Sequence, residues 1–208
     1  MTVAPVAAVL DYEAGNVRSA KRGLDAAGAR ALITADPAEA ARADVLVIPG
    51  VGHFGSCLRG LRAGGLVDVV SSFIADSRPV LGICVGMQLL YGVSEEADEP
   101  GLGLLAGTVV RFPDDVVVPH MGWDVIAPAV GREDDVLLAG IAGRRAYFAH
   151  SYYAVPEDPR HVVADCGYGG RGFPCIVREG SVVGTQFHPE KSGAVGARML
   201  GNWLASLA

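Results

Sequence analysis

The sequence predicts an α/β fold: an open, mostly parallel sheet flanked by helices, with an added antiparallel portion. Three observations carry this expectation. Short, wholly apolar runs such as Val45-Leu46-Val47-Ile48 and Val80-Leu81-Gly82-Ile83 suit strands buried on both faces, as in the centre of a parallel sheet. These runs alternate with segments of helical period, and such alternation implies parallel pairing through crossovers. After Pro100 the texture changes to strand-like stretches separated by Gly, Pro and Asp, which suits antiparallel sheet.

In chain order, Val6 to Leu10 reads as a strand and Asn16 to Ala27 as a helix with Val17, Ala20, Leu24 and Ala27 on one face. Arg30 to Ile33 makes a second strand, Pro37 opens a helical turn, and Val45 to Ile48 is the third strand. Leu66 to Ser77 keeps Leu66, Val69, Val70, Phe73 and Ile74 in helical register and leads back to the strand at Val80. Leu89-Leu90-Tyr91 suit the apolar face of the helix that follows it. Thr108 to Phe112, Asp124 to Ile126, Ala146 to Val155, Val162 to Asp165, Cys175 to Arg178 and Val182 to Phe187 are the strands of the second half. A last helix, Ala194 to Leu207, sets Val195, Met199, Trp203 and Leu207 on one stripe.

With 208 residues, 50% hydrophobic and 19% charged, the chain can bury a full core; no linker or repeat divides it, so a single domain over residues 1–208 is expected. A formal charge of −6 without a dense Lys/Arg cluster argues against nucleic acid or an anionic membrane as the main partner. The N-terminus lacks a basic leader, Pro5 and Asp11 interrupt its apolar stretch, and no run approaches the roughly 18 residues of a membrane span, which points to a cytoplasmic protein. Cys57, Cys84, Cys166 and Cys175 show no C-x-x-C spacing, so neither a metal site nor a disulfide framework is expected.

Cys84 is the first candidate for chemistry. It stands where a buried strand turns into a helix, with Gly82 and Gly86 two residues to either side, leaving room for a strained turn that lifts the side chain clear. Unpaired N–H groups at the helix start would favour thiolate. The competing reading is a small buried hydrophobe at a strand end. A nucleophilic cysteine needs an imidazole, and of His53, His120, His150, His161 and His188 the last is best placed. Pro189 holds His188 extended, so Glu190, two residues on, shares its face and can fix the ring's tautomer. His53 ranks second, for want of a nearby carboxylate. Pro49-Gly50-Val51-Gly52 follows a buried strand and can turn backbone N–H groups toward an oxyanion; it lacks the G-x-G-x-x-G and phosphate-loop patterns, so a nucleotide site is disfavoured.

Gly82-Ile83-Cys84-Val85-Gly86-Met87-Gln88 and Thr185-Gln186-Phe187-His188-Pro189-Glu190 resemble the two signatures of class I glutamine amidotransferases, a flavodoxin-like family. The resemblance implies a Cys-His-Glu triad: Cys84 attacks the side-chain amide of glutamine, His188 moves protons, and Glu190 orients His188. Pro49 to Gly55, Pro119-His120-Met121-Gly122-Trp123 and His188 to Gly193 resemble, within that family, the glutaminase subunits of imidazole glycerol phosphate synthase, over nearly the whole chain. This implies no cofactor and a (β/α)₈-barrel cyclase partner that consumes the ammonia. It also implies that Gly50, Gly52 and Gln88 hold the glutamine, that Val51 and Val85 supply oxyanion amides, and that Ser151 and Tyr152 lie by the amino acid end. Asn16, Met121, Trp123 and Lys191 are the expected partner contacts, with a core role for Trp123 equally open.

Two departures stand out. Val85 replaces a common leucine, and Glu13 occupies a loop position where the family usually has glycine, which argues against a positive backbone φ there. Subunits of other glutamine-dependent synthases, a free-standing cysteine hydrolase and a catalytically silent module remain the alternatives.

Overall fold

The structure is a computed structural model that describes residues 4–207. Its first half alternates as expected: β1 (Val6–Leu10), α1 (Val17–Ala26), β2 (Arg30–Thr34), α2 (Pro37–Ala41), β3 (Val45–Gly50), α3 (Phe54–Ala63), α4 (Leu66–Ala75) and β4 (Val80–Cys84). Local chemistry explains the boundaries. Asp36 caps α2 by accepting from the Ala38 N–H at 2.8 Å, with Pro37 in the first helical position. Helix α3 is absent from the sequence reading because glycines dilute its apolar positions Phe54, Cys57, Leu58 and Leu61. Gly60 is required there: a Cβ would lie 2.4 Å from the Tyr12 carbonyl oxygen.

The helix after β4 is a correction. α5 spans only Val85–Gln88, and Tyr91 opens a strand, β5 (Tyr91–Ser94), rather than continuing a helical face. The chain goes on through β6 (Leu105–Arg111), β7 (His120–Val125), β8 (Ala127–Pro128), β9 (Arg145–His150), β10 (Tyr152–Pro156), β11 (Val162–Tyr168), β12 (Arg171–Glu179), β13 (Val182–Thr185) and α6 (Gly193–Ala205). The stretch from Ala146 to Val155, read as one strand, is two. It leaves the β7–β9 pair at Ser151 and joins the β10-β6-β5 sheet, so the crossing itself is the irregular residue. In α6 the buried face is Gly196, Met199, Leu200, Asn202 and Trp203; Val195 packs only partly, and Leu207, expected on the same stripe, lies past the helix end and is half-buried. Asn202 is tolerated inside because its Nδ2 donates to Leu137 O and Ala139 O at 3.0 and 2.9 Å.

The main sheet runs β2-β1-β3-β4-β13-β12-β11-β8. Its first five strands are parallel and the rest antiparallel, which joins both predicted textures in one sheet. No described helix is long and apolar enough to cross a membrane.

Candidate active site

Strand register brings the separate motifs together. Gly50 pairs with Cys84 across β3 and β4, and Ile83 pairs with Thr185 across β4 and β13. The loop after β3, the turn after β4 and the segment after β13 therefore emerge side by side at the carboxyl edge, where ligands bind in open α/β sheets. At the turn Cys84 has φ +54° and ψ −114°, a conformation that costs a non-glycine residue roughly 1–3 kcal/mol. Neighbouring glycines impose it: a Cβ on Gly86 would sit 1.8 Å from the Ile48 carbonyl oxygen, and one on Gly82 2.6 Å from Met87 Cα. The chain has to double back this tightly, and the thiol is carried to the sheet edge.

His188 is fixed from behind. Its N–H donates to Tyr147 O at 2.9 Å, and its carbonyl accepts from Ser192 Oγ at 2.7 Å, while Ser192 Oγ accepts from the Tyr147 N–H at 2.9 Å. Its Nδ1 is 2.9 Å from Glu190 Oε1, in a pair only 2% and 3% exposed, which leaves Nε2 for the Cys84 thiol. Burial pushes the imidazole down, but Cys84 and Glu190 outweigh it and hold His188 at about 9. His188 is thus held in its charged form near neutral pH.

These groups face a cavity of about 310 Å³ whose lining includes Cys84, His188, Val51, Gly52, Val85, Gln88, Ser151 and Tyr152. Gly50 is a correction: it does not line the cavity but lies beneath the elbow, where a Cβ would be 2.4 Å from Gly86 N. Gln88 Nε2 donates to Tyr152 O at 2.8 Å and to Gln186 Oε1 at 3.0 Å. Glu96, which sequence reasoning missed, adds a carboxylate to the lining, one oxygen of which accepts from the Phe54 N–H at 2.8 Å. Nothing in its local sequence separates it from Glu95; only the fold turns it inward. His53 caps α3 instead, accepting from the Gly55 N–H at 3.1 Å.

His150 also lines the cavity and is backed by His120. His150 Nδ1 donates to Tyr152 O at 2.8 Å, its Nε2 is 3.2 Å from His120 Nδ1, and His120 Nε2 is 2.8 Å from Asp124. Burial pushes His150 down to about 3, so it is neutral and serves as a wall, not a base.

Of the expected partner contacts, Met121 and Trp123 project from one face of β7 and are 64% and 48% exposed, together with Val125. Trp123 is therefore no core residue. Its ring meets Tyr147 edge-on at 6.0 Å, and Lys191 Nζ, which lines the cavity, stands 6.0 Å from the centre of the Tyr147 ring. Asn16 precedes α1 and caps it through its carbonyl, which accepts from Ser19 and Ala20 at 3.0 Å, not through its side chain. The Glu13 expectation is overturned: its φ is +62°. The side chain points to solvent and its N–H reaches Asp11 Oδ1 at 3.3 Å, so the left-handed turn is kept without glycine. This loop borders a second, outer cavity of about 530 Å³, which shares the Val51-Gly52 wall with the first.

Residues 8–207 match the glutamine amidotransferase class-I family. The chain is a class I glutamine amidotransferase of the HisH family. Its relatives include the imidazole glycerol phosphate synthase subunit HisH of Halobacterium salinarum, 48% identical, covering 94% of this chain and 91% of that one. The subunit HisH of Synechococcus sp. is 43% identical, covering 97% and 94%. Among solved structures, PurLQS from Thermotoga maritima superposes on this amidotransferase with a TM-score of 0.74 at 20% identity, covering 99% of this chain and all of that one. A glutamine amidotransferase crystal structure gives 0.68 at 20%, covering 97% of each. At that identity the agreement concerns the fold, and it places the cysteine turn of this amidotransferase within a shared architecture.

Proposed function

We propose that the chain is the glutaminase subunit of an imidazole glycerol phosphate synthase of histidine biosynthesis, a single amidotransferase domain over residues 1–208 that works in the cytoplasm. The carrying observation is that Cys84 at its strained turn, and His188 bonded to Glu190, face one cavity sized for an amino acid. Cys84 attacks the side-chain amide carbon of glutamine; the thiol proton resides on His188 and passes to the leaving nitrogen, so ammonia departs and a glutamyl thioester remains. Water, deprotonated by the now neutral His188, releases glutamate. The oxyanion is held by the N–H groups of Val51 and Val85. Glu96 suits the substrate's ammonium group. Tyr152 O already accepts from Gln88 and His150, and Ser151 O from the Phe112 N–H, so the Ser151-Tyr152 crossing is left to offer donors, which suit the α-carboxylate.

Ammonia then passes to a (β/α)₈-barrel cyclase docked over Met121 and Trp123, with Asn16 and Lys191 at the rim of the same edge. Cys84→Ser should abolish glutamine hydrolysis and glutamine-dependent synthesis, while the assembled complex still works with added ammonia. Glutaminase activity surviving in Cys84→Ser but lost in Cys57→Ser would overturn the assignment. Full turnover by the isolated chain, unchanged by the cyclase, would favour a free-standing hydrolase.

A further inference from the structure

One buried side chain outside the triad reaches the nucleophile. Gln186, the residue after β13, is fully buried, and its Nε2 lies 3.6 Å from Cys84 Sγ. Donor counting fixes which end of the amide faces sulfur. The Tyr152 carbonyl can only accept, so the Gln88 group 2.8 Å from it is the NH₂. That NH₂ also stands 3.0 Å from Gln186, so the atom it meets there is Oε1. The Gln186 NH₂ is thereby turned to Sγ, and His150 Nδ1, on the other lone pair of Tyr152 O, closes the chain at its far end.

We propose that Gln186 is a further catalytic residue, an N–H donor to the Cys84 thiolate that holds charge on sulfur before attack. The inference rests on Cys84 being the nucleophile. Its physical need follows from α5: a single turn, Val85–Gln88, has little macrodipole to offer the sulfur. A rigid amide in a dry site does, because hydrogen bonds to an ionised acceptor are about twice as strong as neutral ones. The donor acts on the thiolate alone. As sulfur bonds to carbon its charge moves to the carbonyl oxygen, which Gln186 does not face, so Gln186 sets the reactive fraction of the thiol and leaves the oxyanion to the backbone. Loss of the amide therefore has a particular signature: slower turnover and slower thiol alkylation at neutral pH, recovery of alkylation alone at alkaline pH, where His188 loses the proton that turnover needs, and an unchanged KM.

The test is the rate of Cys84 alkylation by iodoacetamide against pH, read on the Cys84 peptide by mass spectrometry. Burial holds Cys57 at about 11, Cys166 at about 12 and Cys175 well up, so their peptides act as internal controls. Gln186→Met should raise the Cys84 midpoint by about one pH unit, or roughly tenfold slower alkylation at neutral pH, with a matching loss in kcat. Gln186→Glu keeps the acceptor for Gln88 but sets a carboxylate against sulfur, and should shift it further. The wild-type protein supplies an arm independent of variant folding: the Gln186 side-chain amide NMR signal should move with the Cys84 midpoint and stop moving in Cys84→Ser. An unchanged midpoint in both variants, or an amide signal indifferent to the thiol, overturns the proposal. Either result with Cys84→Ser inactive leaves the nucleophile assignment standing, whereas an active Cys84→Ser overturns that assignment itself.

Discussion

At the scale of single residues, the pair of His188 and Glu190 links chemistry to stability. His188 stands at about 9 in the folded protein, above the ordinary histidine value near 6.5, so folding favours its protonated form. The contribution is fully present below about pH 6.5 and is lost as pH rises through about 9, on the order of 2 kcal/mol. Urea denaturation across that window should show falling stability in the wild type and a flatter profile in both Cys84→Ser and Glu190→Gln, since Cys84 first and Glu190 second raise His188; a flat wild-type profile would contradict both contacts. In turnover, His188→Ala should lower kcat by about 10²- to 10⁴-fold and Glu190→Gln by less, since an orienting carboxylate is one step removed from proton transfer. The contact between His188 and Glu190 was legible in the sequence from their two-residue spacing, although the chain makes it through a 3-10 turn over Pro189–Lys191 and not through the continuous extended segment that the spacing suggested. Gln186 lies in the same motif, yet its role was not legible: its partners Gln88 and Cys84 lie about a hundred positions away and only β13 pairing with β4 unites them. Glu96 was hidden for the same reason.

Among elements, the turn from β4 into α5 is where glycine is structural. Gly86→Ala would drive a Cβ to 1.8 Å from a backbone oxygen that cannot move without opening β3. A loss of about 3 kcal/mol or more is expected, with glutaminase activity lost alongside. Gly201→Ala in α6 makes the contrast: no atom lies within 4 Å of the added methyl, so the helix should gain about 0.5–1 kcal/mol. Thermal unfolding of the two variants should move in opposite directions; movement of both in the same direction would refute the packing argument. Apolar runs revealed β3 and β4 because buried parallel strands are written in contiguous residues. Helix α3 escaped in part because one of its glycines, Gly60, answers to Tyr12, a contact invisible in local sequence. The division at Ser151 escaped because both halves of the stretch are strand-like, and only their different partners separate them.

For the whole molecule, the proposed docking of the cyclase on the exposed face of β7 is open to a direct test. Trp123→Ala should leave the melting temperature of the isolated chain nearly unchanged, because the ring is half exposed, while weakening cyclase binding by about 2 kcal/mol or more, as truncating an aromatic anchor does. Titration calorimetry with the cyclase checks this, and undiminished affinity would move the interface elsewhere. The partition of the two cavities by Val51-Gly52 has a pharmacological consequence. A small molecule lodged among Tyr12, Gly15 and Cys57 would press on the Val51-Gly52 loop, the proposed source of an oxyanion donor, from the far side without entering the cavity proposed for glutamine. Such an inhibitor would not be displaced from its site however high the cell's glutamine pool rose, a property that no reversible glutamine mimic shares.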